Sequence, residues 1–448
     1  MAVETIPAAE KQPARPLSRK LLLEIIELCL IAIGIDAMFR WLPLRYFLDG
    51  TVRFNAVVNL LQHGQISHMS YSIVGPIFST PLWAIDRIAG PSLQWQEKYN
   101  IFLLGTVMLI TYILLRKRMD ASLLRKFFLV LIVGSMFGNH VTYFGGEVFT
   151  ALLVGMGILI ALLASEIGGW SAVVLGVVNT PATLLGLGLV VLRYVAQKRR
   201  VRYILVFIAT VVLILAESWI RRGSPFNSGY GNQAFSTPFW LGLISTLFSF
   251  GKGLIFFAPA LLLPIKNSLL KLQEENQEKL YQAYRLWIWF LVGLILIYSS
   301  WWAWYGGWFW GPRFFLFASI PACFVLAVRL RTPGNSLLGN LLTLLFLAYS
   351  LWVGINGAIY DQFGLSNTCV ANHYALEYLC HYNPLYSVLW HPLVAPKQLT
   401  HNDKLYILCS LVIFTYLAAP LLFRMVKQTS AMLQDLRGKL LNLKVWYF

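Results

Sequence analysis

Long apolar stretches alternate with short clusters of lysine and arginine along almost the whole sequence. The apolar stretch 148–192 lies between two such clusters, RKRMDASLLRK at 116–126 and RYVAQKRRVR at 193–202. Segments of this length and polarity match α-helices that cross the hydrocarbon core of a bilayer, where each backbone polar group is paired within its own helix. Basic clusters typically mark the cytoplasmic ends of such helices. The pattern therefore predicts an all-α polytopic membrane protein.

The overall composition agrees with a membrane protein. Hydrophobic residues make up 58% of the 448 residues and charged residues only 12%, which leaves too little polar surface for a soluble globule of this size. A formal net charge of +17 would suggest nucleic acid as a partner of a soluble protein. Here most of the basic residues fall in predicted cytoplasmic loops, so lipids and no nucleic acid are the expected partners.

Placing the basic clusters inside the cell gives about twelve transmembrane helices with both termini in the cytoplasm. The predicted organisation is a cytoplasmic tail at 1–20, one transmembrane domain at 21–423 and a second cytoplasmic tail at 424–448. The longer predicted external loops are 43–99, 221–251 and 357–403. The first apolar segment lacks the cleavage site of a signal peptide, so it is expected to stay in a plasma membrane or bacterial inner membrane.

The last predicted external loop contains two cysteines. Cys369 and Cys380 lie where an oxidising environment permits a disulfide, and the sequence leaves their pairing open. The neighbouring His373 and His381 do not match a zinc-binding spacing, so no metal site is predicted. The sequence also contains no P-loop, no nucleophile elbow and no dinucleotide-binding fingerprint. A nucleotide-driven enzyme is therefore disfavoured.

The first external loop is predicted to contain an amphipathic helix that starts near an acidic residue. Apolar residues recur at helical spacing between Gly50 and His63, and Gly64 is placed to end the helix. Such a helix lies in the membrane interface. Asp49 at its start is either an N-cap that pairs with Arg53 one turn later or a general base held at the membrane surface. The two roles are compatible.

Several stretches resemble the membrane-embedded GT-C glycosyltransferases, the superfamily of protein O-mannosyltransferases and of the aminoarabinose transferase that modifies lipid A. One shared feature is an acidic residue just after the first span, followed by juxtamembrane helices. WYGGWFWGPRFFLFASIP at 304–321 is similar to a W-x-G-G-x-x-x-G-P-R-F pattern of bacterial members. The other supporting stretches are YSIVGPIFSTPLW at 71–83, YFGGEVFTALL at 143–153 and FSFGKGLIFFAPALLL at 248–263.

The resemblance implies a GT-C-like fold and a donor sugar linked to a polyprenyl phosphate. In this sequence Gly50 follows Asp49, where many members have a second acidic residue, so the resemblance does not extend to a paired acidic site or to a metal bound there. Polyprenyl phosphate is already a good leaving group, so no nucleotide or redox cofactor is implied. The sugar and the acceptor, whether lipid, glycan or protein, stay open.

Residues 301–315, WWAWYGGWFWGPRFF, contain five tryptophans and a single arginine. An aromatic belt at the membrane interface explains tryptophans at the end of a span. A belt does not require two adjacent glycines or the Gly-Pro-Arg sequence, whereas Pro312 suits the first turn of a helix whose free N–H groups, with Arg313, would bind an anion. Arg313 is therefore the first candidate for the donor phosphate. The candidates for contacts with the sugar are Trp304, Tyr305, Trp308 and Trp310.

Other charged residues on the predicted external side complete the candidate site. Lys252 lies between two glycines, which let a phosphate approach the backbone, and Arg53 is the third candidate cation. Glu147 follows two glycines at the start of a span and is either an acid that stabilises a helix start or a partner of Asp49. The expected reaction is inverting sugar transfer with Asp49 as general base. Asp49, Lys252 and Arg313 are expected to line one external cavity.

A polytopic lipid or solute transporter, such as a flippase, is the alternative function, because it would also be basic and rich in interfacial tryptophan. Such proteins have ionisable residues deep within several spans and a path open to both faces. Here the few charges in the spans, such as Asp36, Arg40 and Glu217, are predicted to lie toward the external ends. A non-catalytic assembly subunit, which would have a shallow external cavity or none, is a third hypothesis.

Overall fold

The computed structural model describes residues 18–45, 48–90, 94–231, 233–272, 276–362 and 365–445. These residues form helices joined by short loops, and no β-strand occurs among them. Most of the predicted N-terminal tail lies outside the described residues.

The α-helices, numbered in chain order, are α1 (Arg19–Trp41), α2 (Leu48–His63), α3 (Val74–Ile77), α4 (Thr80–Ala89), α5 (Tyr99–Leu115), α6 (Ala121–Val133), α7 (Phe137–His140), α8 (Glu147–Leu163), α9 (Glu166–Asn179), α10 (Leu184–Lys198), α11 (Ile204–Arg222), α12 (Phe239–Phe248), α13 (Leu254–Phe257), α14 (Lys266–Leu270), α15 (Gln277–Tyr298), α16 (Ser319–Arg331), α17 (Leu337–Ile359), α18 (Ser366–Cys369), α19 (Ala371–Tyr374), α20 (Glu377–Tyr382), α21 (His391–Val394) and α22 (His401–Val445). The 3₁₀ helices between them include Pro181–Thr183, Val201–Tyr203, Pro259–Leu262, Arg313–Ala318 and Pro384–Tyr386.

Several helices have the length and apolar composition of membrane spans. The described segments that meet both requirements are Val201–Arg222, Gln277–Tyr298, Arg313–Arg331, Leu337–Ile359 and His401–Leu436. The shorter apolar helices are Tyr99–Leu115, Glu147–Leu163, Glu166–Asn179 and Phe239–Phe248. The prediction of an all-helical, multi-pass membrane protein is confirmed, whereas these criteria identify fewer spans than the sequence predicted.

The apolar stretch 148–192 begins with two short helices, α8 and α9, which pack closely against each other. A Cβ atom on Gly169 would lie 2.2 Å from the backbone nitrogen of Ala161, so the two backbones are in direct contact. Within a membrane the hydrophobic effect does not drive helices together, and small residues let them associate by close backbone packing instead. The hydroxyl of Thr150 also donates to the Gly176 carbonyl at 2.8 Å. This packing fixes the first residue of α8, Glu147.

The apolar residues that follow the predicted external loop 221–251 do not form a continuous membrane-spanning helix. α12 ends at Phe248, inside the predicted external loop 221–251, and the chain is then interrupted before α13. The N–H group of Gly251 donates to the carbonyl of His381 at 3.0 Å instead of to its own helix. Pro259 has no N–H group to extend α13, so a separate 3₁₀ helix begins there. The apolar segment is therefore a broken helix, with Lys252 at the break.

The amphipathic helix predicted in the first loop is present as α2. It ends at His63, and Gly64 follows with a φ angle of 65°, a left-handed conformation that favours glycine. At the other end of the chain α22 continues past residue 423, with Pro420 inside it, and reaches Val445. The segment predicted as a C-terminal tail is thus helical as far as the structure describes it.

Candidate functional site

A cavity of about 960 Å³ lies where four distant segments meet. Its walls include Asp49 and Arg53 of α2, Glu147 at the start of α8, Arg222 at the end of α11 and Arg313 just before α16. Asp49 and Arg313 are 264 residues apart in the sequence. Four of the charged residues selected from the sequence, Asp49, Arg53, Glu147 and Arg313, therefore line the same cavity.

Asp49 and Arg313 form an ion pair at the cavity wall. Nη1 of Arg313 donates to Oδ2 of Asp49 at 2.6 Å, and the same nitrogen lies 3.7 Å from Oε1 of Glu147. The side chains of Asp49 and Arg313 keep 20% and 10% of their surface exposed, so the pair faces the cavity. The guanidinium group of Arg313 therefore lies next to the carboxylates of both Asp49 and Glu147.

The surroundings of Asp49 keep its carboxyl group ionised at neutral pH. Burial by itself raises the pKa, but the charge of Arg313 and the hydrogen bonds from Tyr71 and Arg313 outweigh burial, with a further contribution from Arg53. The pKa of Asp49 therefore falls below its ordinary value of 3.8. An ionised carboxylate that is partly shielded from water can accept a proton from a bound substrate.

Tyr71 is a residue of this site that the sequence analysis did not select. Its hydroxyl donates to Asp49, and its ring lies under the guanidinium group of Arg53, with 4.6 Å between Cζ and the ring centroid. Burial and the Asp49 charge raise the pKa of Tyr71, so the hydroxyl stays protonated and remains a donor. The one feature of the sequence that pointed to Tyr71 is its position as the first residue of the stretch YSIVGPIFSTPLW.

Two glycines allow the segments to approach closely at the site. A Cβ atom on Gly50 would lie 3.3 Å from the backbone nitrogen of Phe144, so α2 packs directly on the backbone of the segment before α8. A Cβ atom on Gly146 would lie 2.6 Å from Nη1 of Arg53. The Asp-Gly sequence therefore has a packing reason, and the second carboxylate of the site is Glu147, from another segment.

Arg313 is held by the glycine-containing turn that precedes it. Gly306 and Gly307 have φ angles of 80° and 72°, which side-chain-bearing residues rarely adopt, and a Cβ atom on Gly306 would lie 2.9 Å from Cγ of Arg313. The guanidinium carbon stacks 3.7 Å from the ring centroid of Phe309. The two adjacent glycines and the arginine of the motif thus belong to one local structure.

A second group of cations lies at the α11 side of the cavity. Arg221 is neutralised by Glu217, whose carboxylate lies 2.6 Å from Nε. Arg222 donates to the hydroxyl of Ser218 at 2.8 Å and to two backbone carbonyls of the α2–α3 loop at 3.4 Å. Among the described residues neither Arg222 nor Arg53 forms a salt bridge with a carboxylate. Neither Arg221 nor Arg222 was among the candidate cations selected from the sequence.

Lys252 does not line the cavity, so the prediction that it joins Asp49 and Arg313 there is corrected. Its ammonium group is 1% exposed and donates to the backbone carbonyls of Gly307, Phe309 and Gly311, with distances of 3.4 Å to the first and 3.1 Å to the last. Three carbonyl groups occupy its three donors. Lys252 therefore holds the turn that carries Arg313.

Only one of the four aromatic residues predicted to contact a sugar, Trp308, lines the cavity. Trp310 is fully buried and donates its Nε1–H to Asn356 at 2.8 Å. Trp304 and Tyr305 pack on His381, with ring centroids 5.3 and 4.5 Å apart. The expected role of these three residues is therefore corrected to packing. The sequence identified the aromatic stretch but did not show which of its side chains line the cavity and which are packed elsewhere.

The cysteines of the last loop form the disulfide Cys369–Cys380, which resolves the pairing that the sequence left open. In the part of the chain that the structure describes, no group of three or more His, Cys, Asp or Glu side chains is placed to hold a metal ion.

Comparisons with known proteins find a likeness in structure. No protein-family model matches the sequence, and no curated protein matches it. ArnT from Cupriavidus metallidurans in the apo state is similar with a TM-score of 0.50 and 12% identity, covering 91% of this chain and 78% of that chain. The same protein bound to undecaprenyl phosphate gives a TM-score of 0.45 and 14% identity, covering 91% and 77%. The chain has the fold of ArnT in the apo state, as the resemblance implied.

Proposed function

We propose that the protein is an integral-membrane glycosyltransferase that moves a sugar from a polyprenyl-phosphate donor to an acceptor. The observation that carries the proposal is an ionised Asp49 at the wall of a cavity that also holds arginines without carboxylate partners. A general base and an anion site in one cavity meet the two requirements of transfer from a phosphate leaving group. The donor class follows from the sequence motifs, and the GT-C fold agrees with it.

The distribution of charge supports a phosphate site at Arg53 and Arg222. Arg313 is already shared by Asp49 and Glu147, and these two carboxylates would repel an incoming phosphate. Arg53 and Arg222 face the cavity, and within the described residues neither forms a salt bridge with a carboxylate. We assign the first contacts with the donor phosphate to these two residues. Arg313 then orients the carboxylates and stabilises the negative charge that develops beside them.

The proposed reaction is a single displacement at the anomeric carbon. Asp49 accepts the proton of an acceptor hydroxyl or amine group, and the freed electron pair forms the new bond to the anomeric carbon with inversion. The bond from that carbon to the phosphate oxygen breaks, and its electron pair leaves on the polyprenyl phosphate, next to Arg53 and Arg222. Glu147 shares Arg313 with Asp49 and is assigned to positioning the acceptor.

The site is proposed to face the external side of a plasma or bacterial inner membrane. This orientation keeps both termini in the cytoplasm and preserves the topology of about twelve spans, with the broken α12–α13 segment counted as one of them. The domain division at residues 20 and 423 belongs to the same proposal. Irregular backbone at membrane depth is tolerated where it is buried in protein, which is the situation of Lys252.

Replacement of Asp49 by Asn tests the proposal. The variant keeps the shape of the side chain but removes the base, so transfer from a panel of polyprenyl-phosphate sugars should fall by about 10²- to 10⁴-fold. Purified protein in lipid nanodiscs and mass spectrometry of the products provide the measurement. Asp435→Asn is the matched control, because the side chain of Asp435 is 63% exposed and forms a surface ion pair with Lys439.

Two results would overturn the proposal. Undiminished transfer by the Asp49→Asn variant would remove the assigned base. Movement of polyprenyl phosphate across vesicles by the wild-type protein, without any sugar transfer, would favour the flippase alternative.

A further inference from the structure

The disulfide closes a loop whose tip reaches the candidate site. Cys369 and Cys380 are 11 residues apart, and both are buried. Between them His373 and Tyr374 have φ angles of 55° and 65°. Two consecutive residues other than glycine in this left-handed conformation are costly and persist only where the surrounding structure imposes them. The cross-link and the short helices around it supply that constraint.

The loop is docked on the same elements that hold Arg313. A Cβ atom on Gly251 would lie 1.9 Å from the carbonyl oxygen of Cys380, so the break before α13 is in direct backbone contact with the loop. Tyr305 stacks on His381 at 4.5 Å and forms a hydrogen bond with Glu377. The hydroxyls of Ser245 and Tyr382 lie 2.7 Å apart. The position of the loop is therefore fixed relative to the cavity.

Tyr374 lines the cavity, and its side chain is not buried against its neighbours. It is 51% exposed, and among the described residues it is the only one after Phe314 that contributes to the cavity wall. Tyr378, on the same loop, is 55% exposed but does not line the cavity. The left-handed turn at the tip thus directs one aromatic residue, and not its neighbour, to the site.

We propose that the loop closed by Cys369 and Cys380 is a substrate-binding element and that Tyr374 is a specificity-determining residue for the acceptor. This inference rests on the proposed function. Tyr374 lies near Tyr305, which directly precedes the Gly306–Gly307 turn that holds Arg313. The cations assigned to the donor phosphate belong to other elements, α2 and α11.

The chemistry of Tyr374 indicates the class of acceptor. A half-exposed phenol ring offers an apolar face with a polar edge, which suits a ring that has its own apolar face and hydroxyl groups. The acceptor is therefore a molecule that carries a carbohydrate ring. A purely aliphatic acceptor would gain no oriented contact from this residue.

The test uses octyl β-glucoside below its micelle concentration as the acceptor probe, with the full-length protein in lipid nanodiscs. Tyr374→Ala should weaken binding of the probe about three- to tenfold, while Tyr374→Phe keeps most of the affinity. Tyr378→Ala is the matched control and should bind as the wild type does. Saturation-transfer NMR reports probe binding without any need for sugar transfer.

The double variant Cys369→Ser/Cys380→Ser provides the second arm. It should lose probe binding to a similar extent and keep the affinity for polyprenyl phosphate, which shows that the protein is still folded. Equal effects of Tyr374→Ala and Tyr378→Ala, or a loss of polyprenyl phosphate binding in Tyr374→Ala, would overturn the inference. Probe binding that depends on Tyr374 in a protein that transfers no sugar would instead overturn the proposed function alone.

Discussion

Arg222 offers the sharpest test of where a phosphate binds. Its guanidinium group donates to one hydroxyl and to two backbone carbonyls, its Nε has no partner, and no carboxylate pairs with it in the described structure. Arg313, by contrast, lies between Asp49 and Glu147. Replacing Arg222 by Gln removes the charge and keeps most of the side-chain length, so the carbonyls retain a donor.

The expected loss follows from the strength of a single charged contact. A hydrogen bond between a guanidinium group and a phosphate contributes about 1.5–3 kcal/mol. Its removal should therefore weaken polyprenyl phosphate binding about 10- to 150-fold. Titration of a short-chain polyprenyl phosphate followed by native mass spectrometry measures the affinity. Arg202→Gln is the matched control, since Arg202 lies beside the other end of α11 in a 54% exposed pair with Glu166.

One pattern of results would refute the assignment. If Arg222→Gln and Arg53→Gln bind polyprenyl phosphate as tightly as the Arg202→Gln control, and Arg313→Gln does not, then the phosphate binds at Arg313 despite the two carboxylates. The absence of a salt bridge at Arg53 and Arg222 would then not mark the phosphate site, and the assignment made from the motif alone would be right.

Three further predictions concern the residues around Arg313. Arg313→Gln removes the largest of the influences that lower the Asp49 pKa, so this pKa should rise relative to the wild type and the acid limb of the transfer rate should move to higher pH; an unmoved limb in a pH profile would argue against Asp49 as the titrating base. Lys252→Met removes the hydrogen bonds from the ammonium group to three carbonyls of this turn, at about 1.5–3 kcal/mol for each bond from a charged donor, and should lower the melting temperature in detergent, which a thermal-shift assay measures; an unchanged melting temperature would contradict the structural role. Gly50→Glu should lower both the melting temperature and transfer, because its Cβ atom meets the Phe144 backbone at 3.3 Å; a stable, more active variant would contradict the packing explanation.

Much of the fold was readable from local sequence patterns. The apolar stretches predicted the membrane class, and the spacing from Gly50 to His63 predicted α2, because hydropathy and helical periodicity are properties of short segments. The interruption of the helix at residues 249–253 could not be predicted in this way. An interruption there depends on a hydrogen bond from Gly251 to His381, a residue far along the chain.

The candidate site was predictable in part. Asp49, Glu147 and Arg313 each follow or precede a structure-breaking glycine or proline in an aromatic or apolar context, and this signal singled them out. Tyr71 and Arg222 carry no such local mark. Their importance arises only from the packing of distant segments, because Tyr71 donates to Asp49 and Arg222 lines the same cavity.

The sequence by itself determined that this chain is a helical membrane protein and that the candidate acids and cations lie on the predicted external side of the membrane. Only the tertiary structure decided which of those cations remain available to a ligand. Lys252 is occupied by carbonyls, Arg313 by two carboxylates and Arg221 by Glu217, whereas Arg53 and Arg222 form no salt bridge with a carboxylate in the described structure. The reason is that the partner of a buried charge comes from whichever segment packs beside it, and the order of residues along the chain does not record that.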